Sequence, residues 1–131
     1  MIKHIEGIEN NTELEELELY DNKIAKIQNL NHLNKLVILD LAFNVIKEIP
    51  EGCFDGLVSL RKIYLSANKI KVMQGFDKLV NLEVLDLGDN RIRKMENMST
   101  LVKLRELHLA KNKLQVIENI SHLKNLYMLT L

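Results

Sequence analysis

One proline, one cysteine, no tryptophan and only five glycines stand among the 131 residues, and the 18 basic side chains are matched by 18 acidic ones. Each shortage excludes something. A single cysteine, Cys53, rules out an internal disulfide framework and a multi-cysteine metal site. A net charge of zero provides no global field to steer the chain onto nucleic acid or an anionic membrane, so any charge-driven recognition must come from local patterning. No stretch approaches the roughly 18 uninterrupted apolar residues of a spanning helix, and the opening Met1-Ile2-Lys3-His4-Ile5-Glu6 holds no apolar run for a secretion signal. Scarce glycine and proline leave little material for a loop-rich catalytic site.

What is abundant is repetition. Asn22, Asn44, Asn68, Asn90 and Asn112 follow one another at 22, 24, 22 and 22 residues, each closing a Leu-x-Leu-x-x-Asn string or its near variant. The unit at Leu14 reads Leu14, Leu17, Leu19, Asn22, Ile24, Ile27, Leu30, Leu33, and its apolar columns are filled in all five units. At 47% apolar composition a chance match of this extent is on the order of one in 10^11. The frame divides the chain into full repeats 14–35, 36–59, 60–81, 82–103 and 104–125, with partial repeats 1–13 and 126–131.

Each unit has two halves with different periods. Alternation in the leucine string makes a short strand, and identical strands stack in parallel at roughly 4.8 Å. Three-residue spacing in the return half, as in Ile92, Met95, Met98 and Leu101, suits 3-10 or short helical turns on the opposite side. The expected fold is an α/β solenoid, right-handed and curved, with a parallel sheet on its concave face and tight turns on its convex face. The five asparagines end the strands, where an amide with two donors and an acceptor satisfies turning backbone as a structural ladder. Neither end carries a polar cap, which predicts a segment of a longer solenoid, fraying at residues 1–13, and end-to-end self-association through apolar surface near Leu131.

Function is read where the repeat leaves residue choice free. Between the strand leucines stand Glu18, Asp40, Tyr64, Asp86, His108 and Thr130, all projecting from one side of the sheet, with Asp21, Phe43 and Asp89 on the flank. Acids interleaved with exposed aromatics match the chemistry of a protein interface that receives a basic, partly apolar partner. Lys23, Lys69, Arg91 and Lys113 form a basic column on the opposite rim, with Lys26, Lys47, Lys71, Arg93 and Lys94 close behind. That rim lacks base-stacking aromatics and reads as a solvating edge, so no nucleic-acid partner is expected.

Catalysis finds no support. His4, His32, His108 and His122 are dispersed, and the two sharing a column, His32 and His122, lie four repeats or roughly 20 Å apart, beyond the reach of one metal ion. Asp40 and Asp86 are separated by roughly 10 Å with no pocket-forming loop between them. Cys53 beside Phe54 reads as a packing residue. No enzyme, metal or cofactor is expected. Asn10, Asn97 and Asn119 head Asn-x-Ser/Thr strings, of which the last two are one repeated turn.

These residues resemble the leucine-rich-repeat superfamily, and Val116-Ile117-Glu118-Asn119-Ile120 resembles its 22-residue intracellular branch. Leu17-Glu18-Leu19-Tyr20-Asp21-Asn22-Lys23-Ile24 and Leu85-Asp86-Leu87-Gly88-Asp89-Asn90-Arg91-Ile92-Arg93 are similar to the regulatory subunit 7 family of protein phosphatase 1. The second unit departs from that pattern: its 24 residues, with Pro50-Glu51-Gly52-Cys53-Phe54-Asp55-Gly56, look more like extracellular repeats. The resemblance implies a regulatory subunit, in the cytoplasm or nucleus, that binds the phosphatase catalytic subunit through Glu18, Asp40, Phe43, Tyr64, Asp86, Asp89 and His108. The alternative is a scaffold for a cytoskeletal, ciliary or extracellular partner.

Overall fold

The computed structural model describes residues 1–131. Six strands of three residues each, β1 (Glu16–Glu18), β2 (Ile38–Asp40), β3 (Lys62–Tyr64), β4 (Val84–Asp86), β5 (Glu106–His108) and β6 (Met128–Thr130), form one sheet. Neighbours in sequence are neighbours in space, in the order β1-β2-β3-β4-β5-β6, and every pair is parallel. Parallel pairing with a full return in each connection is what a solenoid requires. No helix is long and apolar enough to cross a membrane.

One side of each strand faces the core. Leu39, Ile63, Leu85 and Leu107, the middle residues of the inner strands, are fully buried in a continuous cluster of 30 apolar side chains. No unit could close this core alone, because each supplies one layer that its neighbours cover. Phe54 and Phe76 stack with ring centroids 6.0 Å apart, bridging the long second unit and the third. The extra length of that unit is clamped by Asn31, whose Nδ2 donates to Gly52 O at 3.0 Å and whose Oδ1 accepts from the Gly56 amide at 2.8 Å. A Cβ on Gly56 would lie 1.9 Å from the Asn31 carbonyl oxygen, so only glycine fits there.

The asparagine ladder has the same wiring in each inner repeat. Oδ1 of Asn44, Asn68, Asn90 and Asn112 accepts from the amide of Ile24, Ile46, Ile70 and Ile92 in the preceding unit, at 2.9 Å each. Nδ2 of Asn68 donates to Leu41 O one unit back and to Leu65 O and Ser66 O of its own. One amide therefore ties two repeats together, and no buried side-chain nitrogen or oxygen is left unpaired.

Two expectations need correction. The return segments contain no 3-10 or α helix. The 22-residue units make isolated i+3 turns joined end to end, such as Leu79 N to Phe76 O and Leu82 N to Leu79 O, and the long second unit interleaves turns starting at Pro50, Gly52 and Phe54, whereas a 3-10 helix needs such bonds from consecutive residues. Intervening carbonyls are taken by the next unit instead, as when Ser59 Oγ donates to Asn34 O and Thr100 Oγ1 to Asp77 O. Nor do residues 1–13 stand apart as a frayed end. The Ile2 amide donates to Asn22 Oδ1, Ile2 O accepts from the Lys23 amide at 2.8 Å, and Ile5 is buried, so the ladder runs into this segment.

Candidate functional site

Register places the sequence-derived column in one line across the sheet. Glu18 pairs with Asp40, Asp40 with Tyr64, Tyr64 with Asp86, Asp86 with His108, and His108 with Thr130. Glu18 is exposed, while Asp40, Tyr64, Asp86 and His108 are half-buried between their stacked neighbours. Asp40 and Asp86 are each held by a local bond, Oδ1 accepting from the Ala42 and Gly88 amides respectively at 2.9 Å. This leaves the second oxygen of each carboxylate for a partner.

Tyr64 separates the two aspartates. Burial raises its phenol pKa first, and the negative fields of Glu106, Asp40 and Asp86 raise it further, so the ring keeps its proton and its O–H remains a donor amid acids. His108 bridges strands: Nδ1 lies 3.1 Å from Thr130 Oγ1 and Nε2 3.3 Å from Glu106 Oε1. It sits at one margin of the line, and Glu18 sits at the other.

The flanking residues Asp21, Phe43, Ala67, Asp89 and Lys111 share one backbone conformation, with φ between 51° and 57°. Aspartate tolerates the left-handed turn, whereas Ala67, Lys111 and Phe43 meet its Cβ penalty, and Phe43 at φ 54° adds a bulky ring that is 59% exposed. Strain and exposure coincide at one aromatic beside an acidic line, a combination that packing does not require.

A second column on the same face was missed. Glu16, Ile38, Lys62, Val84, Glu106 and Met128 lie two residues before the first and so project from the same side. The alternation was the available signal. Ile38 and Val84 stand beside Asp40 and Asp86, Val84 buried and Ile38 half-buried, and Lys62 lies between them as the one lysine or arginine among the strand residues on this face.

Other residues singled out by sequence stand apart from the line. Cys53 is half-buried, and burial followed by the Asp55 charge pushes its thiol up to about 12, which leaves it protonated and unreactive at neutral pH. His32 and His122 each place Nε2 2.9 Å from a carbonyl one unit back, that of Ile8 and Met98. Asn97 and Asn119 donate their Nδ2 to Met73 O and Met95 O at 2.7 and 2.6 Å, so these two Asn-x-Ser strings hold repeats together through the very nitrogen a glycan would occupy. No three His, Cys, Asp or Glu side chains converge in a way that could hold a metal ion.

A solenoid of stacked single-strand units, closed by an asparagine ladder and presenting one free sheet face, defines the class. Residues 12–70 match the family model for the leucine rich repeat, and residues 58–100 match the model for leucine rich repeats in two copies. The chain is a leucine-rich-repeat protein. More particularly, over 64 residues it is 38% identical to the protein phosphatase 1 regulatory inhibitor subunit PPP1R7 homolog of Arabidopsis thaliana, a match covering 48% of this chain and 19% of that protein. A leucine-rich-repeat protein of Leptospira interrogans superposes with a TM-score of 0.85 at 32% identity, over 95% of this chain and 32% of that one. The functional domain of InlJ from Listeria monocytogenes gives 0.79 at 25%, over 94% and 26%. The APL1 leucine-rich-repeat domain gives 0.87 at 20%, over 93% and 34%, a likeness of fold alone. The chain spans between 19% and 34% of the length of these proteins.

Proposed function

We propose that this chain is a protein-binding module and serves as a regulatory subunit that docks the catalytic subunit of protein phosphatase 1 on its strand face. The observation that carries the reading is the in-register line Asp40, Tyr64, Asp86, flanked by Phe43 and Asp89, on a chain that resembles a phosphatase regulatory subunit. A partner presenting lysine or arginine beside an apolar patch would pair the free carboxylate oxygens and cover Phe43 and Tyr64, leaving Glu18 and His108 at the rim. Such a partner sets the working compartment as cytoplasm or nucleus. The module itself supplies no chemistry in this reading.

The test separates recognition from folding. Asp40→Asn and Asp86→Asn keep an oxygen for the Ala42 and Gly88 amides while removing the charge, and Tyr64→Ala removes the aromatic. Calorimetric titration of the purified phosphatase catalytic subunit with the triple variant should show a loss of more than about 2 kcal/mol of binding, with melting close to the parent protein. Unchanged affinity would remove the strand face as the docking site.

A further inference from the structure

Seven cations occupy two adjacent columns on the rim that follows the asparagine ladder, and six of them, set apart from Lys23 by Val45 in the shared column, stand together in four successive units. Lys69, Arg91 and Lys113 each come one residue after a ladder asparagine, and Lys47, Lys71 and Arg93 come two positions after that column. Their backbone is fixed by the ladder: the amides of Lys69, Arg91 and Lys113 donate to Ile46 O, Ile70 O and Ile92 O, each at 2.8 Å. Successive rows are therefore spaced as the strands are, roughly 4.8 Å. Five of the six side chains are exposed and Lys69 is half-buried.

None of the six makes an ion pair. Four other cations are neutralised, with Lys35 meeting Glu13, Arg61 and Arg105 sharing Glu83 and Lys94 meeting Glu96, and further unpaired lysines such as Lys3, Lys78 and Lys124 stand in different columns and are not stacked on one another. Like charges at strand spacing repel, and a chain with no net charge has no overall excess of base that would make such crowding incidental. A cleft of about 430 Å³ opens among Lys47, Lys69, Lys71 and Arg91, with the apolar side chain of Val72 on its wall and one acid, Glu48.

We propose that this grid is a second docking surface, separate from the strand face, which receives an acidic, extended segment of a partner polypeptide. Three features select that occupant. The four rows from Lys47 to Lys113 run over roughly 14 Å, too far for one small anion to engage, whereas an extended chain repeats same-side carboxylates at roughly 6.8 Å. Val72, an exposed apolar side chain, gives the methylenes of glutamate a contact that a bare phosphate would not use. Nucleic acid lacks its usual platform here, because Phe54 and Phe76 are buried and Tyr20, Phe43, Tyr64 and Tyr127 lie in other columns. The proposal does not depend on the phosphatase reading.

The experiment follows a fluorescein-labelled oligoglutamate peptide by anisotropy as the full chain is added at low salt. Lys71→Gln/Arg91→Gln/Arg93→Gln is compared with Lys3→Gln/Lys35→Gln/Lys124→Gln, which removes the same charge from other surfaces. The grid variant should bind about tenfold more weakly, and the control should stay within about twofold of the parent protein. Equal weakening in both variants, no weakening in the grid variant, absence of binding by the parent protein, or tighter binding of an oligodeoxythymidylate of equal charge would each overturn the proposal.

Discussion

The side-chain oxygen of Asn90 accepts the backbone amide of Ile70, a residue of the preceding repeat, at 2.9 Å, while Nδ2 of the same group donates to Leu65 O, Leu87 O and Gly88 O at 3.0 to 3.1 Å. One buried amide thus serves four backbone groups in two units. Asn90→Ala leaves the buried Ile70 amide with no partner, while Leu65 O, Leu87 O and Gly88 O keep their bonds from Asn68 Nδ2, Asn112 Nδ2 and the Ala67 amide, and the expected cost is about 1 to 3 kcal/mol of stability. Thermal melting checks this. A melting temperature equal to that of the parent protein would contradict the role assigned to the ladder.

Phe43 offers the reverse trade. Its left-handed conformation is one that asparagine tolerates and a bulky residue resists, and its ring is mostly in solvent, so little packing is lost on replacement. Phe43→Asn should stabilise the fold by about 1 kcal/mol while weakening phosphatase binding. Chemical denaturation and calorimetric titration on the same sample read the two effects. Destabilisation would mean that the ring is packed for the fold.

Cys53 supplies a pH dependence whose sign follows from burial. Its thiol is raised from the ordinary 9.0 to about 12 in the folded chain, so the unfolded chain releases the proton first. Stability from this group is fully present below pH 9 and is lost as pH climbs from there toward 12. Melting temperatures across that window should fall more steeply for the parent protein than for Cys53→Ala. Parallel slopes would show that the thiol does not couple to folding.

The leucine and asparagine columns are legible in the sequence because every repeat places the same demand on them. Leu39, Ile63, Leu85 and Leu107 meet one environment, and Asn44, Asn68, Asn90 and Asn112 one set of bonds, so residue type repeats with the position. The line from Glu18 to Thr130 is legible for a different reason, since strand alternation alone assigns its side. Where several residue types meet one demand, the signal blurs. Gly7, Asn29, Gly52, Gly75, Asn97 and Asn119 all have positive φ at corresponding turns, but glycine answers only the backbone requirement and asparagine also donates to the previous unit. In the third unit the two duties are split: Gly75 takes the turn, and Gln74 beside it donates to Ile49 O. No single-letter column records that division. The strained turn at Phe43 was hidden likewise, because Asp21, Ala67, Asp89 and Lys111 in its column share a conformation and no chemistry.

The identical wiring of successive asparagines bears on how such a chain changes over generations. Because each amide bonds only its own unit and the one before, deleting or duplicating one whole 22-residue unit in the gene would bring together two surfaces already matched to each other. Every bond at the new junction could be remade, and the rims and strand face would shift by one row. A cut of half a unit would set a strand against a return turn and leave the amides facing nothing. The second repeat resists this traffic: Asn31 of the first unit clamps Gly52 and Gly56 of the second, so that these two units can move only together. Recombination should therefore vary the number of rows after β3 more freely than the junction between β1 and β2.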